Sequence, residues 1–92
     1  MFIKSIDEKL KRLGFKKRHE TIYETMYERW DSETKHFHRV KIEYDPYDRK
    51  IPMLKSYDPD VYVYKEGGFL SVGLTMKELK LFYKKMKQKE RK

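Results

Sequence analysis

The chain has no cysteine. That excludes disulfides and thiolate metal sites and fits a reducing compartment. No stretch approaches the roughly 20 consecutive apolar residues that span a bilayer. The opening residues, MFIKSIDEKLKRLGF, also lack the apolar run of a secretory leader. A cytoplasmic protein is the expectation. Glycine occurs four times, and the one Gly-Gly pair, Gly67-Gly68, is flanked by neither a Walker nor a dinucleotide-binding pattern. Serine is as scarce. Ser5, Ser32, Ser56 and Ser71 stand in no nucleophile-elbow context. The carboxylate pairs Glu24 with Glu28 and Asp58 with Asp60 belong to no recognisable catalytic set. The expectation is a protein that is not an enzyme and needs no cofactor.

What the chain does have is charge and aromatic rings. Charged residues make up 41% and aromatic residues 15% of 92 positions, with a net charge of +8. A chain this short buries roughly two-thirds of its unfolded surface and forms one domain, residues 1–92. Its eight tyrosines fill a thin core while keeping a hydroxyl at the edge. The charge is uneven: residues 1–18 carry +5, 19–49 carry −3, 50–74 balance, and 75–92 carry +6. Basic ends favour anionic partners.

Apolar periodicity places the elements. Ile3, Ile6, Leu10 and Leu13 recur at helical spacing. The helix begins either at a Ser5–Glu8 capping box or near Phe2, and ends at Leu13 before Gly14, with Phe15 packing back on its last turn. From Glu20 to Trp30 the period becomes two. Thr21, Tyr23, Thr25, Tyr27 and Arg29 form the expected core face. Asp31-Ser32-Glu33-Thr34 reads as a turn into a strand from about His36 to Tyr44, with His38, Val40, Ile42 and Tyr44 facing the core. A hairpin register that sets Trp30 opposite Phe37 also sets Glu28 opposite Arg39, an aromatic pair and an ion pair on one outer face.

Tyr44-Asp45-Pro46 recurs as Tyr57-Asp58-Pro59. Both copies read as turns punctuating a meander, with a duplicated ligand loop as the alternative. A third strand runs from Ile51 to Tyr57, Val61 to Tyr64 is extended, and Phe69 to Gly73 returns after a Gly67-Gly68 turn. Thr75 and Glu78 form a capping box, and Leu74 with Leu79 a staple, for a closing helix. Its expected buried stripe is Leu79, Phe82, Tyr83 and Met86, and its end, residues 87–92, is expected to fray. The fold class is therefore α+β: an N-terminal helix, an antiparallel meander of three to five strands, and a C-terminal amphipathic helix. Both helices are expected on the face of Tyr23, Tyr27, Val40 and Ile42.

Several segments carry a resemblance. Leu13-Gly14-Phe15-Lys16-Lys17, Tyr27-Glu28-Arg29-Trp30, Ser56-Tyr57-Asp58 and the run from Val72 to Phe82 (VGLTMKELKLF) resemble small proteins encoded by phages and prophages of Gram-positive bacteria. The likeness covers most of the chain in order and leaves out Asp45 to Leu54. It implies a small soluble product made in the host cytoplasm. The family has no established activity, so the likeness transfers no catalytic residue.

Two surfaces follow as candidates. Ile22, Met26, Trp30 and Phe37 on the outer sheet face, beside Glu28 and Arg39, have the composition of a protein interface; the bland alternative is a second core under a covering segment. Lys77, Lys80, Lys84, Lys87 and Arg91 form a basic stripe on the closing helix. With Lys16, Lys17 and Arg18 it is a candidate for nucleic acid, or else only a solvated helix face. His19, His36 and His38 offer imidazoles without a completing ligand set, so no metal is expected. A host or phage protein is the leading partner, nucleic acid the alternative. A monomer and a homodimer are both compatible with the sequence.

Overall fold

The computed structural model describes residues 5–44 and 52–90, apart from the side chains of 89 and 90. Helix α1 (Ile6–Arg12) is followed by strands β1 (Lys16–Glu20), β2 (Glu24–Asp31), β3 (His36–Glu43), β4 (Met53–Val63) and β5 (Gly68–Ser71), then helix α2 (Met76–Glu90). The strands form one antiparallel sheet in the order β1-β2-β3-β4-β5. The meander is α+β as expected, with five strands. The first copy's Asp45-Pro46 and the expected start of the third strand at Ile51 lie outside the described residues.

Both helices are delimited by caps readable in the sequence. Ser5 Oγ accepts from the Glu8 N–H at 3.1 Å. At the other end Gly14 N–H bonds to Lys11 O and Phe15 N–H to Leu10 O, a Schellman closure that requires the left-handed φ of 94° at Gly14. For α2, Thr75 N–H donates to Glu78 Oε1 at 2.8 Å while Glu78 N–H donates to Thr75 Oγ1 at 3.2 Å. This is a complete capping box.

The β2–β3 ladder has the expected register, with Trp30 opposite Phe37 and Glu28 opposite Arg39. Asp31 Oδ1 accepts from the Glu33 and Thr34 N–H groups across the turn. Thr25, Tyr27, Val40, Ile42 and Tyr44 are buried. The core joins Leu10 of α1 and Phe15 to Tyr27, Val40, Ile42 and Tyr44 of the meander and to Leu81 and Phe82 of α2. Phe82 meets both Phe15 and Tyr27 edge to face, with ring centroids 5.2 and 5.4 Å apart, the geometry favoured by the ring quadrupole.

Four expectations are corrected. The stretch from Glu20 to Trp30 is not one strand. Thr21 Oγ1 accepts from the N–H groups of Tyr23 and Glu24 and reverses the chain between β1 and β2. Tyr23 consequently lies exposed at that turn instead of in the core. The second Tyr-Asp-Pro copy does not end a strand either. Asp58 Oδ1 accepts the Asp60 N–H at 2.8 Å, the local bond expected of a turn. Here it shapes a bulge inside β4, where the register with β5 shifts between Asp58 and Tyr62. Pro59 lies past the last β3–β4 pair, Arg39 with Tyr57, so its missing N–H breaks no ladder bond.

The fourth correction concerns α2. Its buried residues are Glu78, Leu81, Phe82 and Lys85, whereas Leu79 and Tyr83 are 41% and 55% exposed. Met86 packs against the core as expected. Two charged residues stay on the buried side because each finds a distant partner. Glu78 Oε2 accepts from Arg29. Lys85 Nζ lies 3.4 Å from both Asp7 and Glu20. The helix also runs through residues 87–90.

Arg29 is the polar centre of this packing. Besides Glu78 it donates to Leu13 O at 3.3 Å and to His38 Nδ1 at 3.1 Å. Its guanidinium lies 4.2 Å from the Phe15 ring centroid. Burial would raise the Glu78 carboxyl, but the Thr75 N–H and the Arg29 charge outweigh it and hold the group below the usual carboxylate range. His38 is pushed down by burial and then by Arg29. Because Nδ1 accepts from Arg29, Nε2 carries the proton and donates to Ser56 Oγ, so His38 is a neutral core residue. Asp7 is likewise held down: burial opposes, but the Tyr27 hydroxyl, Lys17 and Lys85 prevail.

Candidate functional site

The outer sheet face, opposite Tyr27 and Val40, is built by the alternation of the strands. Its central rows are charged and internally neutralised. Glu28 accepts from Arg39 at 2.8 Å and from Arg18 at 3.3 Å. Lys41 lies within 3.5 Å of Glu24 and Glu43, and Lys55 3.1 Å from Glu43. At the end of the sheet near the β2–β3 and β4–β5 turns the character changes. Trp30 meets Phe37 with centroids 5.0 Å apart. Across the sheet, Tyr57 stacks on Phe69 at 5.4 Å, Phe69 meets Tyr62 at 5.5 Å, and Tyr62 meets Tyr64 at 4.9 Å. Arg39, two residues from Phe37 on the same face, lies 6.0 Å from the Tyr57 ring and joins the two groups.

The result is an aromatic band crossing β2 to β5. Trp30 is 53% exposed, Phe69 47% and Tyr64 87%. Of the residues expected there, Trp30 and Phe37 form one end. Met26 lies half-buried opposite Lys41. Ile22 is exposed in the β1–β2 turn, at least about 20 Å from Trp30 by the strand rise, and belongs to no common patch with it. Tyr57, Tyr62, Tyr64 and Phe69 were not legible as members, because the β4 bulge is what turns Tyr62 onto Phe69.

The basic residues separate into two classes. Lys17 pairs with Asp7 and Glu20, each at 2.9 Å, and Arg18 with Glu28. Both are engaged within the fold and do not extend the helical stripe. Lys16 is exposed on β1. Lys87 lies 5.4 Å from the Tyr83 ring centroid, and Arg91 is outside the described residues. Lys77, Lys80 and Lys84 line a groove of about 470 Å³ between the helices, and Lys9 and Arg12 of α1 join them over Leu13 and Leu81. Lys9 and Arg12 could be found only once the two helices were seen side by side.

Two further clusters lie outside the aromatic band. Leu54, Met76, Leu79, Tyr83 and Met86 line an apolar depression of about 430 Å³ beside α2. His36, Asp58 and Asp60 bring one donor atom each within 4.8 Å of one another. Neither His19 nor His38 is part of that set, and His38 is committed to Arg29 and Ser56. No helix among the described residues is long and apolar enough to cross a membrane.

Comparison with protein-family models, curated proteins and solved structures yields no match for this chain.

Proposed function

We propose that this protein is a non-enzymatic docking module that binds another protein through the aromatic band of its outer sheet face. In this reading α1 and α2 both lie over the Tyr27, Val40 and Ile42 face, and the opposite face is left to a partner. The observation that carries the reading is the exposure of Trp30, Phe69, Tyr62 and Tyr64 in one band. Small monomeric proteins rarely leave a tryptophan-centred apolar patch to water, and Trp, Tyr and Arg are the residue types that dominate binding energy. The neighbouring ion pairs are neutralised internally, so the partner is matched by apolar shape more than by charge. The resemblance to small phage and prophage proteins supplies the setting, a bacterial cytoplasm, and a host or phage protein as partner.

A photoreactive residue placed at Tyr64, where the side chain is 87% exposed, tests this in cells that make the protein. One defined protein should be cross-linked, and Trp30→Ser with Phe69→Ser should abolish the adduct while circular dichroism is unchanged. An adduct that persists in the double variant rejects the band as the docking surface. Cross-linking to a second copy of the chain, with sedimentation as a dimer, would make the partner the protein itself.

A further inference from the structure

We infer that the groove between α1 and α2 binds the phosphodiester backbone of a nucleic acid, without reading its sequence. This surface is separate from the aromatic band, so either assignment can fail alone. Five cations, Lys9, Arg12, Lys77, Lys80 and Lys84, line the groove. None pairs with a carboxylate among the described residues, whereas Lys17, Arg18, Arg29, Arg39, Lys41, Lys55 and Lys85 all do. The sequence carries a matching imbalance of charge. Residues 16–71 hold eleven basic and eleven acidic side chains, while residues 1–15 hold four against two and residues 72–92 eight against two. The entire +8 excess therefore falls on the two ends of the chain, and five of the cations there line one groove.

Gathering like charges raises the energy of the free protein, and a bound polyanion relieves it. Leu81 is buried and Leu13 half-buried, giving an apolar floor on which lysine stems can lie with their ammonium groups raised at the rim. Lys77 and Lys84 are seven residues apart, about 10 Å along the helix, a length that holds about three phosphates of one duplex strand. Lys9 and Arg12 supply the facing rim. Among the described residues no aromatic ring, side-chain amide or carboxylate lines the groove, so it lacks the rings that stack on bases and the amides that pair with adenine, and its cations are left to the phosphates. The ligand is therefore defined by its regularly spaced phosphates.

Fluorescence anisotropy with labelled duplex and single-stranded oligonucleotides of two unrelated sequences tests the inference. If all five cations meet duplex phosphates, the log–log salt slope is about −4.5, and affinity falls about 500-fold between roughly 50 and 200 mM salt. Lys9→Gln with Arg12→Gln, both on exposed positions of α1, should reduce that loss to about 40-fold, since two counterions fewer are released. Lys16→Gln with Lys65→Gln, outside the groove, should leave binding unchanged. The inference is overturned by absence of binding at low salt, by control variants that weaken binding as much as the α1 pair, by a strong preference for one sequence, or by binding to anionic phospholipid vesicles in place of oligonucleotides.

Discussion

Removing the Arg29 guanidinium should cost this fold more than any exposed substitution. In Arg29→Met the stem still covers Phe15, but Glu78, only 5% exposed, keeps its charge and loses its cation. Breaking a buried pair from one side typically costs about 3–5 kcal/mol. Two features reduce that here: the Arg29 side chain is 25% exposed, and Glu78 retains the Thr75 N–H at 2.8 Å. About 2 kcal/mol remains. The unsatisfied His38 Nδ1 and Leu13 carbonyl add about 1 kcal/mol. A total near 3 kcal/mol is a large share of a small domain's stability and lowers Tm by about 10–25 °C. Chemical denaturation with circular dichroism measures it. Glu78→Gln, introduced into Arg29→Met, keeps the capping acceptor and removes the stranded charge, so it should restore about 1–2 kcal/mol. A loss below about 0.5 kcal/mol in the single variant, the range of ordinary surface changes, would refute the reasoning. So would a double variant that recovers nothing.

Two other outcomes follow from the same region. His38 is held below its ordinary value by burial and Arg29, so stability is complete above about pH 6.5 and declines as pH falls below it, where the unfolded chain takes up a proton that the folded chain resists. Unfolding free energies at pH 7.5 and 5 should differ less in His38→Gln than in the parent protein. Gly14→Ala should cost about 1–2 kcal/mol for the left-handed backbone, plus strain against Arg29 Cδ, 3.2 Å from the new Cβ. Gly67→Ala, also at positive φ but with nothing within 4 Å, should cost only the backbone part. Equal thermal shifts for the two variants would contradict the close approach of Arg29 to Gly14.

The elements that were legible in the sequence are those whose signals are local or self-consistent. The Thr75–Glu78 box and Gly14 carry their chemistry within four residues. The β2–β3 register was legible because the Trp30–Phe37 and Glu28–Arg39 pairs agree on one alignment. Strand β1, KKRHE, was not legible. It is an edge strand that buries little, held by its ladder with β2 and by ion pairs such as Lys17 with Asp7 and Arg18 with Glu28, so no apolar alternation announces it. The face of α2 was misjudged because polarity was taken to mean solvent, whereas the partners of Glu78 and Lys85 lie 49 and 78 residues away. Asp58-Pro59 had the right local bond and the wrong consequence. Part of each candidate surface was legible for the same reason: Trp30 and Phe37, and Lys77, Lys80 and Lys84, are near neighbours in sequence, but Phe69 and Tyr64, and Lys9 and Arg12, reach them only through the fold.

The chain's one tryptophan makes the most direct test possible. Trp30 emission and its quenching by acrylamide, measured on protein dilute enough to be monomeric, report whether the outer face is open. The account predicts a solvated indole with red-shifted emission, readily quenched, which shifts to the blue when the partner cross-linked at Tyr64 is added. A blue-shifted, quench-resistant indole in the free monomer would mean that another part of the chain already covers the band, and would contradict its assignment as a docking surface.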